Sequence, residues 1–283
     1  MLCWHQIKKR IIPMNKLLSA IAVTVATSAL AAPLSASADV CQHEIAPTNA
    51  YKEAVLFYPC DLDGALPAVT LTGGYSNTYR NLQWLAEDMA EAGYVVLAMT
   101  PPNIYGKVEQ WRDAHLEGQK TLVAVAEDND TPVAKHIDTD RRGIAGFSMG
   151  GGGTLLAGSI LKDDVKALAA FAPFLLEEQR NVSPTAPTLV IAGEKDLLIT
   201  NESITQIYDH VQASANKNMI AIYADGRHQQ WYRAEVTKNR ESYTELALAW
   251  LNLHLKNEPS AQTTLKAPTP PAEDTFSRLE AHL

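Results

Sequence analysis

A serine flanked by glycines, Gly146-Phe147-Ser148-Met149-Gly150, follows an apolar run and opens a stretch of four glycines that ends at Thr154. A serine on a sharp strand-to-helix turn is presented clear of its neighbours, and glycines on either side leave the room that such a turn needs. The first amides of the helix that follows point at the same place and can stabilise developing negative charge. The chemistry of such a serine is nucleophilic attack on an acyl group. A phosphate-binding reading of Gly150 to Gly153 is set aside, because Thr154 and Leu155 stand where a lysine and then a hydroxyl residue are required.

A serine hydroxyl is a weak nucleophile at neutral pH, so a histidine must take its proton and a carboxylate must hold that histidine. With this turn the partners follow in the order serine, acid, histidine. Of the eight histidines, His5 lies in the N-terminal leader, and His43, His115 and His136 precede the serine. His210 and His254 fall in predicted helices, and His282 lies near the C-terminus. His228 is left, in the loop Ala224-Asp225-Gly226-Arg227-His228 directly after a predicted strand. The acid is expected after the preceding strand, where Gly193-Glu194-Lys195-Asp196 offers Asp196. Glu194, closer to the strand end, and Asp225, close enough to His228 to shape its loop, are the rivals.

Short runs rich in Val, Ile, Leu and Ala alternate with longer amphipathic segments, the pattern of parallel strands joined by helices. Strands are expected near residues 54–58, 68–72, 94–99, 143–147, 167–171, 188–192 and 219–223, and a last helix over about 235–256. The fold expected is the α/β-hydrolase fold, a mostly parallel sheet flanked by helices. The interval from Phe171 to Thr188 is too short for a large cap domain. Beyond Lys256, Pro259, Pro268, Pro270 and Pro271 stand among polar and small residues, so 257–283 is expected to be a flexible tail. No internal repeat is visible.

Lys8, Lys9, Arg10 and Lys16 precede an apolar stretch from Leu17 to Leu34, closed by Ala36-Ser37-Ala38. This reads as a signal peptide over 1–38, which leaves a catalytic domain over 39–256 and a secreted or periplasmic product. No second apolar span of about 20 residues follows, so no stable membrane association is expected after cleavage. The leader carries four of the 24 basic residues and none of the 32 acidic ones, leaving a formal charge of −12. That balance disfavours nucleic acid and anionic membrane surfaces as partners. Cys3 leaves with the leader, and Cys41 and Cys60 remain as a pair in an oxidising compartment, where a disulfide between them is expected.

At these residues the sequence resembles the bacterial polyester hydrolases and cutinases, a family that includes enzymes acting on poly(ethylene terephthalate). The likeness runs from about Leu66 to Lys256 and rests on the segment from Arg142 to Thr154, on Gly193-Glu194-Lys195-Asp196, on His228 and on Gly74-Tyr75. It implies an oxyanion hole built from the backbone amides of Tyr75 and Met149. It also implies departures: Phe174 stands where the family carries a tryptophan facing the ester, and Phe147 where it carries histidine or tryptophan. The family's disulfides near the active site and the C-terminus have no counterpart here.

The reaction expected is ester hydrolysis through an acyl-enzyme, without cofactor or metal, by a monomer. His136-Ile137-Asp138-Thr139-Asp140 holds ligand-type residues but reads as a solvated loop. An open cleft walled by Tyr75, Met149, Phe174, Leu198 and Trp231 is expected, able to admit a small or polymeric ester. Two other readings compete: a hydrolase of another ester class, such as acetyl or dienelactone-type esters, and a binding protein that keeps the fold without catalysis.

Overall fold

In the computed structural model, residues 39–232, 240–268 and 275–283 are described. The leader over 1–38, Pro270 and Pro271 lie outside them. Among the described residues, nine strands form one sheet in the order β1-β2-β4-β3-β5-β6-β7-β8-β9. They are β1 (Val40–Ile45), β2 (Glu53–Pro59), β3 (Leu66–Thr72), β4 (Val95–Thr100), β5 (Ile137–Phe147), β6 (Ala167–Phe171), β7 (Thr188–Gly193), β8 (Asn218–Tyr223) and β9 (Phe276–His282). From β4 through β3 to β8 neighbouring strands run parallel, while β1, β2 and β9 pair antiparallel at the two ends. This is the mostly parallel, helix-flanked sheet of an α/β-hydrolase fold. No helical domain is inserted between β6 and β7, where residues 172–187 hold only a three-residue 3-10 turn.

The helices are α1 (Gln83–Glu91), α2 (Glu109–Glu127), α3 (Met149–Leu161), α4 (Asn201–Ser214), α5 (Arg240–Leu255) and α6 (Ala261–Lys266). Strand periodicity of two sorts the core into layers. In β6, Ala167, Ala169 and Phe171 join the cluster built with α1, α5 and α6, whereas Ala170 joins the cluster built with α4 and Leu168 the one against α3. Because the central strands are covered on both faces, they read as unbroken apolar runs, which is why they were legible in the sequence.

The chain beyond Lys256 departs from the expected flexible tail. It contributes α6, with Leu265 fully buried, and β9, which pairs with β8 from Asn218↔His282 to Tyr223↔Phe276. The prolines dilute the composition, but Ala261, Leu265 and Phe276 anchor the segment in the core behind α5 and β8. Edge strand β1 was also unforeseen. It is pinned to β2 by six register pairs and by the disulfide Cys41–Cys60, which spans 19 residues. On chain-entropy grounds a loop of that size contributes about 3 kcal/mol.

Two histidines are held neutral by the core. Burial pushes His115 on α2 down to about 3, and burial with nearby Lys217 pushes His254 on α5 down to about 4. Each native value lies below that of the unfolded chain, so the unfolded state binds the proton first as pH falls through 6.5. The stability held at neutral pH is therefore lost on acidification. For His115 the loss between pH 7.5 and pH 5 is about 2 kcal/mol. Urea midpoints at the two pH values should fall less with acid in His115→Gln than in the wild type, and equal drops would show that the imidazole is not the source.

Candidate active site

Ser148 sits between the last residue of β5 and the first of α3, with φ 55° and ψ −115°. A non-glycine residue in that region is strained by about 1–3 kcal/mol and persists only where its surroundings over-determine it. Three backbone hydrogen bonds do so. Ser148 N donates to the Phe171 carbonyl at 2.8 Å, and the Ser148 carbonyl accepts from Gly152 N and Phe174 N, each at 2.9 Å. The flanking glycines are steric necessities: a Cβ at Gly146 would stand 2.4 Å from the Gly150 carbonyl oxygen, and one at Gly150 would stand 2.4 Å from that of Thr72.

The structure brings the three widely separated residues together. His228 Nε2 lies 3.0 Å from Ser148 Oγ, and His228 Nδ1 lies 2.7 Å from Asp196 Oδ2. The second carboxylate oxygen of Asp196 accepts from Leu198 N at 2.8 Å and Ile199 N at 2.9 Å, so both oxygens are engaged. The carboxylate is almost wholly buried and the imidazole is about nine-tenths buried. Of the rivals, Glu194 is exposed, and Asp225 pairs with Lys195 on the outer side of the loop. The loops after β7 and β8 are joined backbone to backbone: Glu194 N donates to the Tyr223 carbonyl and Lys195 N to that of Gly226, each at 2.9 Å. Glycine at 193 and 226 permits that approach, since a Cβ on Gly193 would meet Gly226 backbone at 2.4 Å.

The loop after β3 closes on the serine from the other side. A Cβ on Gly74 would stand 2.7 Å from Ser148 Cβ and 3.2 Å from its Oγ. Asn77, buried and missed by sequence reasoning, shapes this loop: its Oδ1 accepts from Gly74 N at 3.0 Å and its own N–H donates to the Gly74 carbonyl at 3.1 Å. Tyr75 follows on this loop. Met149 is the first residue of α3, where helix geometry leaves an amide without an intrahelical acceptor.

A cleft of about 540 Å³ opens above Ser148 and His228. Tyr75, Met149, Phe174 and Leu198 line it as expected, with Tyr75 52% and Leu198 69% exposed. Trp231 does not, and this corrects the sequence reading. Its ring is 2% exposed, stacked between Phe171 and Tyr243 with centroids at 4.7 and 4.3 Å, while Trp84 Nε1 donates to its carbonyl. Adjacent residues of the 3-10 turn over His228–Trp231 face different ways, so Tyr232 lines the cleft instead. Phe147 backs the imidazole with ring centroids 4.8 Å apart. The segment from His136 to Asp140, expected as a loop, instead opens β5 at Ile137, and its polar groups are engaged by neighbours: His136 Nδ1 lies 3.0 Å from the Gly64 carbonyl, and Asp138 pairs with Arg141 at 2.7 Å.

The chain is similar to known cutinases and to a lipase. Cutinase est1 of Thermobifida alba is 28% identical over 169 residues, covering 59% of this chain and 55% of that protein. Cutinase 2 of Thermobifida cellulosilytica is 30% identical over 143 residues, 50% of this chain and 52% of its own. Lipase 1 of Moraxella sp. (strain TA144) is 26% identical over 206 residues, 72% and 60% respectively. The chain thus spans about half the length of the cutinases it matches. The sequence signature of the PETase, or PET hydrolase-like, family matches residues 23–280, and the chain belongs to that family.

Proposed function

We propose that this protein is an exported serine carboxylester hydrolase that acts through an acyl-enzyme at Ser148 on short-chain or polymeric esters. The observation that carries the reading is the hydrogen-bonded series Ser148 Oγ, His228 and Asp196 at 3.0 and 2.7 Å beneath an open aromatic cleft. His228 Nε2 takes the hydroxyl proton as Oγ attacks the ester carbonyl, and Asp196 stabilises the imidazolium that forms. The amides of Tyr75 and Met149 hold the oxyanion. Collapse expels the alcohol, which receives the proton from His228. Water, deprotonated by the same nitrogen, then attacks the acyl-enzyme and releases the acid.

The exposed Tyr75 and Leu198, with no inserted cap, leave room for a chain that extends past the reacting ester. The leader and the Cys41–Cys60 bond support action outside the cytoplasm, where a polymer would be met.

Diethyl p-nitrophenyl phosphate tests the assignment. One equivalent of p-nitrophenolate should be released, with the diethylphosphoryl mass on the peptide that contains Ser148. Initial rates should be higher on p-nitrophenyl acetate and butyrate than on the palmitate, followed by weight loss from a polyester film. A label on any other residue, or no hydrolysis of these esters by folded protein, rejects the reading.

A further inference from the structure

His115 is fully buried in α2 and takes no part in the proton transfers proposed above. An apolar side chain would be cheaper to bury there, since each polar group taken from water must find a partner. The imidazole finds partners on both nitrogens. Nδ1 lies 3.0 Å from Thr70 Oγ1 on β3, and Nε2 lies 2.8 Å from Thr72 Oγ1 at the end of β3 and 3.4 Å from Thr154 Oγ1 on α3.

The partners point to one tautomer. The Gln119 amide donates to Thr70 Oγ1 and to the Gly143 carbonyl, so the Thr70 hydroxyl proton is free to go to Nδ1. Thr154 spends its own proton on the Gly150 carbonyl at 2.9 Å and can only accept from the ring. With Thr154 able only to accept, the hydrogen is placed on Nε2, directed at the two threonines and beside the Gly150 backbone. Burial keeps the ring neutral, which rules it out as a proton-transfer group at the pH of ester hydrolysis and leaves it a fixed donor and acceptor.

The two elements that His115 joins are those that carry the oxyanion amides. Thr72 is two residues before Gly74, whose loop presents Tyr75, and Thr154 lies in the helix whose first residue is Met149. They meet at van der Waals limits, for a Cβ on Gly150 would stand 2.6 Å from Thr72 Oγ1. Glycines bring α2 close as well: a Cβ on Gly153 would stand 2.7 Å from Trp111 Cβ, and one on Gly118 3.0 Å from Thr70 Cγ2.

Resting on the oxyanion assignment above, we propose that His115 is a positioning residue for the oxyanion hole, fixing the spacing between the β3 exit and the start of α3 through Thr72 and Thr154.

The test compares the wild type with His115→Leu and His115→Gln on O-(4-nitrophenyl) acetate and its thiono analogue, whose C=S gains little from oxyanion donors. In His115→Leu, kcat on the oxo ester should fall roughly 10- to 100-fold with KM little changed. The oxo-to-thiono rate ratio should fall with it. His115→Gln restores an N–H toward Thr72 and should recover most of both. A folding defect alone would lower the two rates together. If His115→Leu does not fold, Thr72→Val and Thr154→Val remove the same link from either side and should lower the ratio likewise.

An unchanged ratio in folded variants, beside a Ser148→Ala control that is inactive, overturns the role of His115 alone. Activity surviving in Ser148→Ala overturns the serine reading, and this proposal with it.

Discussion

Ser148→Ala is expected to lower kcat for p-nitrophenyl butyrate by about 10⁴- to 10⁶-fold, with melting temperature little changed. On the proposed mechanism the loss is large because the hydroxyl is the attacking atom, and no other nucleophile of the described cleft stands against His228. The backbone that carries it is held by Phe171, Gly152 and Phe174 rather than by the side chain, so alanine should keep the turn. The deleted interaction is the 3.0 Å bond to His228 Nε2, whose nitrogen can turn to water in the open cleft. The residual rate over water would come from the oxyanion donors and from binding, as expected for residues that act as a unit. Retention of more than about a tenth of the activity would remove Ser148 from the mechanism.

Asp196→Asn should be nearly as damaging, by about 10⁴-fold in kcat, although it changes one atom. Asp196 Oδ1 accepts from two backbone amides, Leu198 N and Ile199 N, inside a buried loop. An asparagine must keep its carbonyl oxygen there, because turning its NH2 toward two N–H donors leaves them unpaired at about 1–3 kcal/mol each. The NH2 then faces His228 Nδ1, which becomes an acceptor. The imidazole proton moves to Nε2, the atom that has to receive the serine proton, and the base is lost while its geometry is kept. The counterpart Asp225→Asn alters an exposed carboxylate that pairs with Lys195 and should leave kcat within about twofold. Steady-state kinetics on both variants check the assignment, and a fall in Asp225→Asn matched by none in Asp196→Asn would reverse it.

The sequence by itself determined the strand-to-helix turn at Ser148 and seven of the strands, and it pointed to Asp196 and His228 as that serine's candidate partners. Gly146-Phe147-Ser148-Met149-Gly150 is legible because its physics is local: one strand end, one turn and one helix start, all contiguous in the chain. The central strands are legible because burial on both faces writes itself as continuous apolar runs. Edge strands carry no such mark. β1 alternates between half-buried and exposed positions, and β9, Phe276–His282, mixes Ser, Arg, Glu and His with its apolar residues. Its place was decided by the open edge of β8, more than 50 residues away in the chain.

Tertiary structure also decided which neighbour in a pair faces the site. Trp231 and Tyr232 are indistinguishable as cleft candidates on type alone. The turn after His228 sends the larger ring between Phe171 and Tyr243 and leaves Tyr232 on the wall of the cleft, since only packing against β6 and α5 fixes that phase. His115 was set aside for preceding the serine, a sound argument about proton transfer that says nothing of position. Its partners Thr70, Thr72 and Thr154 are 39 to 45 residues away, and that network exists only once α2 packs across β3 and α3.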